Sequence, residues 1–196
     1  MKKHSCGAIL YTIYNNKIYI VLGMEKGQWF PFKGSREKNE TNEMAAIREI
    51  YEETCGVVKI KNIELKCHYS TKRKHYHIGL IQIPSNIIEK FYLNKDRILN
   101  NTKCVKNNKA YLEKSDIKMF PLNKIFTYDL HEVTIKPIKY FYTYLKSMEN
   151  KLNYKNRDIF QNSPYLFAMP KKILKKIPNT ITQSQIMPEY IPILNI

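Results

Sequence analysis

Apolar residues near the beginning of the chain form two runs, which the turn formers Asn15 and Asn16 separate. The runs read CGAILYTIY and KIYIVLGME, and both are rich in the β-branched and aromatic residues that favour strands. Two such runs on either side of a two-residue turn predict a β-hairpin at the start of the domain.

Later apolar segments predict three more strands and one long helix. Residues 57–71 and 74–84 each indicate a strand, with the basic turn Lys72 to Lys74 between them, and residues 116–122 indicate a short strand. Residues 132–152 carry apolar side chains at helical spacing. We therefore expect a helix there, with Pro137 near its beginning.

Two segments differ from this pattern. Residues 85–110 are polar and rich in Asn and Lys, and we interpret them as an irregular insertion with some helix. Residues 151–196 contain scattered prolines and the basic run KKILKKIP, which is typical of an extension that packs on a domain. We therefore predict one domain over residues 1–150 and a basic, proline-containing extension over 151–196.

A short acidic segment interrupts this basic sequence. Residues 42–55 predict a helix that Thr41 or Asn42 caps at its N-terminus. At 100° per residue, its carboxylates project from one face, and an apolar stripe on the opposite side is expected to be buried. The three carboxylates are those of Glu49, Glu52 and Glu53, and the stripe consists of Met44, Ile47 and Tyr51.

Carboxylates at this spacing repel one another, so the acidic face needs an explanation. One is a solvated surface, on which water screens the charges. The other is a hard divalent cation such as Mg²⁺, which takes carboxylate oxygens as ligands and removes the repulsion. His75 and His77 alternate on a predicted strand and are a weaker candidate for a metal site, because no third ligand accompanies them.

The overall charge indicates the kind of partner. Lys and Arg number 33 against 17 Asp and Glu, which gives a net charge of +16 and favours nucleic acid or nucleotide phosphate as a partner. A coding sequence rich in A and T would also raise the Lys content, so part of the surplus has a compositional explanation. The four cysteines lack paired spacing, and no segment is long enough to cross a membrane. We expect a cytoplasmic protein with free thiols and no membrane partner.

The acidic helix belongs to a longer pattern that resembles a known motif. Gly34, Glu40 and the run Arg48-Glu49-Ile50-x-Glu52-Glu53 have the spacing of the Nudix box. The pattern departs at its end, where Cys55 stands in the place of the usual glycine and Gly56 follows one residue later. We expect this shift to lengthen or bulge the C-terminal cap of the helix without displacing the carboxylates.

The resemblance implies a fold and a cofactor. It implies an α/β fold of the Nudix type, an α/β/α sandwich with a mixed sheet between helices. It also implies that Glu49, Glu52 and Glu53 hold Mg²⁺ or Mn²⁺, with the Gly34 carbonyl, freed by a tight turn, as a further ligand. By the same resemblance Arg48 orients the glutamates, and Lys33 is placed to reach a phosphate.

Within the family, the chain is similar to the mRNA-decapping branch. The early strand GAIL and the run WFPFKG carry this likeness. Compact decapping-like proteins are a feature of large DNA viruses, and the composition rich in Asn, Lys and Ile suits such an origin, with the host cytoplasm as location. Glu113 lies four residues before Ile117. Decapping enzymes have a glutamate at the corresponding position that resembles a general base, so the likeness makes Glu113 the candidate base. The likeness extends to RNA-binding lysines in the late helix and the tail, namely Lys136, Lys139, Lys171, Lys172, Lys175 and Lys176.

The leading functional hypothesis is hydrolysis of the 5′ cap of mRNA. The products would be 7-methylguanosine diphosphate and RNA with a 5′-monophosphate. One alternative is a small-nucleotide hydrolase, MutT-like or specific for dinucleoside polyphosphates, and another is an RNA-binding Nudix module without catalysis. The charge surplus favours RNA because a long backbone uses more cations than a free nucleotide. The intact carboxylates favour an enzyme.

Overall fold

The computed structural model describes residues 2–100 and 109–161, and it describes the side chains of residues 2–100 and 110–153. The chain divides into a unit of residues 1–154 and a unit of residues 155–196. The tail lysines Lys171, Lys172, Lys175 and Lys176 lie outside the described residues, as do residues 101–108 of the predicted insertion. None of the described helices is long and apolar enough to span a membrane.

The described residues of the first unit form a seven-stranded mixed sheet. Its strands are β1 (Lys3–Tyr14), β2 (Lys17–Glu25), β3 (Gln28–Phe30), β4 (Phe32–Ser35), β5 (Cys67–Ser70), β6 (Lys74–Gln82) and β7 (Asp116–Pro121). The main order is β3-β2-β1-β6-β5, while β4 pairs with β1 and β7 pairs with β2. The β1–β6 pairing is parallel and the others are antiparallel.

The N-terminal hairpin forms as predicted. Strands β1 and β2 are antiparallel, with Tyr14 opposite Lys17. Asn15 and Asn16 both have positive φ, at 47° and 59°. Asparagine tolerates this left-handed conformation better than most residues, and the two-residue turn it forms matches the twist of the strands.

Helices cover both faces of the sheet. They are α1 (Asn42–Glu53), α2 (Ile87–Leu99) and α3 (Glu132–Gln161), with short 3₁₀ helices at Lys109–Leu112 and Leu122–Thr127. Ile138, Phe141 and Leu145 of α3 pack with Ile9 and Ile20 against one face. On the other face, Ala8, Leu10 and Val21 pack against Ile50 of α1 and Phe91 of α2. The result is the expected α/β/α sandwich.

Three predicted elements differ in extent from those observed. The strand expected over residues 57–71 is confined to Cys67–Ser70. The predicted irregular insertion contains a regular helix, α2, whose buried Ile87 and Phe91 join the core. Helix α3 begins at Glu132 with Pro137 as its sixth residue, near its beginning as expected, but it continues past residue 152 to Gln161.

Candidate functional site

The acidic helix α1 begins where the sequence predicts. The Thr41 hydroxyl accepts a hydrogen bond of 3.2 Å from the backbone N–H of Met44, so Thr41 is the N-cap. Strand β4 lies beside α1 and places Lys33 and Gly34 next to the helix. The short segment between β4 and α1 therefore brings the first and last parts of the acidic motif together.

The prediction of which face of α1 is buried is wrong. Met44 is 54% exposed, whereas Glu49 and Glu53 are only 8% and 1% exposed. Ala45, Ala46 and Ile50 supply the apolar contacts on the inward side. The two glutamates turn inward because cations and backbone N–H groups lie there, which also removes the interpretation of a solvated acidic face.

The C-terminus of α1 has no bulge. Cys55 itself takes the left-handed conformation, with φ of 54°, and Gly56 follows with φ of 74°. The N–H of Cys55 donates to the Glu52 carbonyl at 2.9 Å, and that of Gly56 donates to the Tyr51 carbonyl at 2.7 Å. This pair of bonds is a Schellman motif. The helix therefore ends in the usual way, with cysteine in the position that glycine would take.

Arg48 connects the parts of the acidic motif. Its Nε donates to Glu40 Oε1 at 2.7 Å, and its Nη1 donates to Glu49 Oε1 at 2.8 Å and to Glu52 Oε2 at 3.0 Å. A further bond of 3.0 Å joins Nη2 to the Ser35 carbonyl. The hydrogen bond to Glu40 is the largest cause of a raised pKa of Arg48. The guanidinium therefore stays charged and holds Glu49 and Glu52 in place.

Gly34 lies where no side chain fits. It is in β4 opposite Cys6 rather than in the tight turn we expected. A Cβ atom at this position would lie 2.1 Å from the Glu49 carboxylate. The next residue back, Lys33, donates its backbone N–H to Glu53 Oε2 at 2.6 Å. Strand β4 is thus in direct contact with both buried glutamates.

A second group of charged residues surrounds Glu53. The ammonium of Lys114, which is fully buried, lies 2.9 Å from Glu53 Oε1 and 3.0 Å from Glu25 Oε2. Carboxylate oxygens of Glu25, Glu53 and Glu113 lie within 4.8 Å of one another. Among the described residues, these form the set of three acidic side chains close enough to share a metal ion.

Burial and neighbouring charges shift the pKa values of these groups in different directions. Burial raises the pKa of Glu53 to about 8. Burial also acts to raise the pKa of Glu25, but the hydrogen bond and the charge of Lys114 outweigh it, and the pKa is lowered. Burial favours a neutral Lys114, yet the two carboxylates raise its pKa. The contacts therefore favour the charged forms of Lys114 and Glu25, whereas burial favours the neutral form of Glu53.

The donor set fits a hard divalent cation. It consists of carboxylate oxygens alone, which are the ligands that Mg²⁺ and Mn²⁺ prefer. Lys114 already supplies positive charge between Glu25 and Glu53, so an ion at this place would share these carboxylates with the ammonium. Glu49 and Glu52 point to Arg48, and the structure does not place them in the same set of three.

An aromatic ring lies over the cations of the site. The Lys33 and Lys114 ammonium groups are 5.3 Å and 5.6 Å from the centroid of the Phe30 ring. His131 packs on Phe30, with ring centroids 4.8 Å apart. Burial lowers the pKa of Lys33, and the Glu53 charge opposes this effect. Lys33 is thus close enough to the carboxylates to bind a phosphate that lies against them.

Comparison with solved structures identifies the fold. The Nudix domain of Shewanella oneidensis NrtR, crystallised with ADP ribose, aligns with a TM-score of 0.51 and 16% identity, and covers 71% of this chain and 85% of its own. The chain has the Nudix fold. A mutT/nudix family protein from Listeria innocua covers 82% of this chain and 98% of its own, at 16% identity and a TM-score of 0.47. A C. elegans Ap4A hydrolase covers 74% of this chain and 98% of its own, at 19% identity and a TM-score of 0.47. No protein-family model and no curated protein matches the sequence.

The predicted site residues of this Nudix fold fall into two places. Glu113 is exposed and lies with Glu53, as the resemblance led us to expect. Lys136 and Lys139 are exposed on α3, on the opposite face of the sheet from α1. The Lys136 ammonium lies 5.6 Å from the centroid of the Tyr69 ring. Their role in RNA binding stays a prediction.

The histidine pair on β6 belongs to a larger cluster. His77 Nε2 lies 2.9 Å from His4 Nδ1, and His77 Nδ1 lies 3.0 Å from His68 Nδ1. The rings of His4 and His75 have centroids 5.3 Å apart. His77 thus contacts different partners through its two nitrogens, and among the described residues these imidazoles do not form a three-ligand metal set.

The sequence analysis missed Glu25 and Lys114. Both depend on the pairing of β2 with β7, in which Met24 lies opposite Asp116. One local signal was available, because Glu25 ends an apolar run immediately before Lys26 and Gly27, which both have positive φ. A charged residue at the end of a buried strand often marks a site, since strand ends converge at the sheet edge. Lys114 had no such signal beyond its position beside Glu113.

Proposed function

We propose that this protein is a metal-dependent hydrolase that cleaves a phosphoanhydride bond in a nucleotide. The observation that carries the proposal is the group of carboxylates from Glu25, Glu53 and Glu113, beside the Lys33 ammonium and the glutamates that Arg48 holds. A buried carboxylate such as that of Glu53 is costly unless cations compensate it. The set suits the binding of a divalent ion and a phosphate chain together.

The chain's own residues would divide the work. Glu53, Glu25 and Glu113 would hold Mg²⁺ or Mn²⁺, with Glu49, Glu52 and the Gly34 carbonyl as the further ligands that the resemblance implies. When bound, the ion neutralises charge on the phosphates and acidifies a water molecule. Lys33 would bind a phosphate oxygen, and the exposed Glu113 would accept a proton from the attacking water. Arg48 is a positioning residue, since it contacts Glu49 and Glu52 rather than the reacting atoms.

Small nucleotides are the substrates that the comparisons favour. The Nudix domain of NrtR was crystallised with ADP ribose, a nucleotide with a diphosphate. The carboxylate oxygens of Glu25, Glu53 and Glu113 lie within 4.8 Å of one another, close enough to hold one divalent ion against a phosphate chain. We therefore propose a nucleoside diphosphate derivative or polyphosphate as the first substrate class.

Capped RNA is the second candidate. The net charge of +16 and the likeness of residues 5–57 to decapping enzymes support it. In this case the products would be 7-methylguanosine diphosphate and RNA with a 5′-monophosphate. Incubating the protein with a panel of nucleotides and, separately, with cap-labelled RNA distinguishes the two. Release of labelled 7-methylguanosine diphosphate would indicate capped RNA as the substrate, and cleavage of nucleotides alone would indicate a small-nucleotide hydrolase.

The substitution Glu53→Gln tests the site. It removes a ligand charge while keeping an acceptor for Lys114, so we expect the rate to fall about a thousandfold or more with the fold retained. The matched control is Glu64→Gln, which changes an exposed glutamate paired with Lys66 and should leave the rate unchanged. The rate is measured by product release, and folding by circular dichroism. Turnover of Glu53→Gln within about tenfold of wild type would contradict the assignment.

A further inference from the structure

A basic cavity of about 550 Å³ lies between the β5–β6 turn and the beginning of α3. Lys72, Arg73 and Lys74 line it from the turn, and His131 and Glu132 line it from the helix side. None of the ion pairs among the described residues includes any of the three cations of the turn. The lining therefore carries three cations against one carboxylate.

The turn holds these cations in a fixed arrangement. The Thr71 hydroxyl accepts hydrogen bonds from the backbone N–H groups of Lys74 at 3.1 Å and Arg73 at 3.4 Å. The Thr71 N–H donates to the Lys74 carbonyl at 2.9 Å. These bonds close the turn on itself, so the three cationic side chains leave it from adjacent positions. Such a concentration of like charge is unfavourable without a polyanion nearby.

Direct contacts also join the strands beside the turn to the beginning of α3. Tyr76 is buried and stacks on Tyr69, with ring centroids 4.7 Å apart and an interplanar angle of 6°. The Tyr69 hydroxyl donates to the Val133 carbonyl at 2.8 Å, which ties the sheet to the first turn of α3. The cavity thus lies between two elements that are joined to each other.

Contacts connect this cavity to the carboxylate site. His131, which lines the cavity, packs on Phe30 with ring centroids 4.8 Å apart. The Lys33 ammonium lies 5.3 Å from the centroid of the same Phe30 ring. Lys74 is also close enough to Lys33 to contribute to its lowered pKa. Positive charge therefore continues from the carboxylates, past Phe30 and His131, to the basic turn.

We infer that this cavity binds the phosphate backbone of a single-stranded oligonucleotide whose terminal phosphoanhydride lies at the carboxylate site. This inference rests on the proposed function and names its substrate class. Under the proposed function, the phosphates of a small nucleotide would lie beside Glu53 and Lys33. A second group of cations beyond Phe30 and His131 matches a substrate whose negative charge continues, as the backbone of RNA does.

Binding to RNA tests the inference separately from hydrolysis. The dissociation constant of an uncapped RNA of about a dozen nucleotides is measured by fluorescence anisotropy over a range of salt concentrations, with chelator present so that no cleavage occurs. The test variant is Lys72→Ala/Arg73→Ala/Lys74→Ala. The matched control, Lys17→Ala/Lys61→Ala/Lys90→Ala, removes the same charge from exposed positions elsewhere.

The test variant should lose affinity by about tenfold or more at low salt, and its salt slope should fall by about two units, at roughly 0.7 per phosphate. The control should bind within about twofold of wild type. Equal losses in both variants, or an unchanged slope in the test variant, would overturn the inference. Competition by polyglutamate as strong as that by RNA of equal charge would also overturn it, since the cavity would then favour acidic protein.

A change of opposite sign sharpens the experiment. Glu132 contributes the one carboxylate of the lining. Glu132→Gln is therefore expected to tighten RNA binding by about twofold, because the phosphates lose a repulsive neighbour. Weaker binding by this variant would contradict the inference, since a turn that serves only the fold gives no reason for a gain.

Hydrolysis of a small nucleotide is measured in parallel, so that failures can be told apart. Cavity-dependent RNA binding by a protein that cleaves no nucleotide would refute the proposed function and leave the cavity assignment intact. Nucleotide cleavage together with RNA binding that ignores the cavity would refute the inference and leave the proposed function intact. Because Lys74 acts on Lys33, this cleavage is measured with the double variant Lys72→Ala/Arg73→Ala, which should cleave a small nucleotide within about twofold of wild type.

Discussion

Single side chains in this protein respond to pH away from the carboxylate site. His77 contacts His4 and His68 through its two ring nitrogens, and burial, followed by the neighbouring histidines and Arg36, lowers its pKa. The unfolded chain then takes up protons at higher pH than the folded protein. Stability is therefore present above the ordinary histidine pKa and is lost as the pH falls through the interval below it.

The substitution His77→Gln should reduce this acid sensitivity. Between about pH 7.5 and about pH 5.5, the free energy of unfolding of the variant should fall less than that of wild type. The difference between the two falls should be under about 1 kcal/mol, because solvent screens a partly exposed ring. Urea denaturation at each pH measures it. His131→Gln, outside the cluster, is the control. An identical pH dependence in wild type and His77→Gln would show that the cluster has no energetic effect.

At the residue scale, prediction succeeded where a motif fixes spacing. Arg48, Glu40, Glu49 and Glu52 meet through hydrogen bonds of one guanidinium, and their order along the chain already suggested this. Lys114 could not be found in the same way. Its partners lie 61 and 89 positions away, and only strand pairing brings them together.

At the element scale, α1 and β4 form one unit. The absence of a side chain at Gly34 lets the Glu49 carboxylate approach the strand. Gly34→Ala should therefore displace Glu49, and we expect hydrolysis to fall about a hundredfold, since a shift of about 1 Å at a catalytic group costs that much. Product release measures the rate, and circular dichroism confirms the helix content.

Gly27→Ala provides the control for this substitution. Gly27 has φ of 78° and no atom within 4 Å of an added Cβ. The change should therefore cost about 1 kcal/mol of backbone strain without affecting hydrolysis. Equal rates for Gly34→Ala and wild type would show that Glu49 does not need its place beside β4.

The orientation of α1 shows why element positions were easier to predict than faces. Thr41 caps the helix as expected, because a cap is a local interaction. The inward face was assigned from hydrophobicity, which favoured Met44 over Glu53. The ammonium of Lys114, two residues before β7, and the backbone of β4 reverse that preference, and such distant groups cannot be read from the helix itself. The strand expected over residues 57–71 was too long for the same reason, since only Cys67–Ser70 finds a partner strand.

At the scale of the whole molecule, the positive surplus predicts how substrate length and salt act together. Capped RNA longer than about a dozen nucleotides should be cleaved faster than a free cap dinucleotide at about 50 mM salt, and the advantage should shrink steeply as salt rises. Rates on both substrates over a salt series measure this. A salt-independent advantage would mean that contacts other than phosphate contacts select the longer substrate.

The fold was largely predictable because its pattern is regular. Two apolar runs separated by Asn15 and Asn16 predicted the hairpin. The acidic motif resembled a family with a known α/β/α sandwich fold, which the observed sheet and helices match. Net charge pointed to a polyanion but not to a place, since cations occur along the entire chain. The sequence indicated a basic turn at Lys72 to Lys74, but only the folded arrangement places it beside His131, which packs on Phe30.

The buried ammonium of Lys114 pairs with Glu25 and Glu53, so we expect folding not to depend on the proposed ion. Because it neutralises Glu25 and Glu53 from within, a chelator should leave the melting temperature of wild type unchanged to about 1 °C. Lys114→Met should melt lower in chelator and recover part of the difference when Mg²⁺ is added. A large chelator effect on wild type would contradict this. With no such effect, the protein would stay folded but inactive where divalent ions are scarce, and ion uptake would restore activity without refolding.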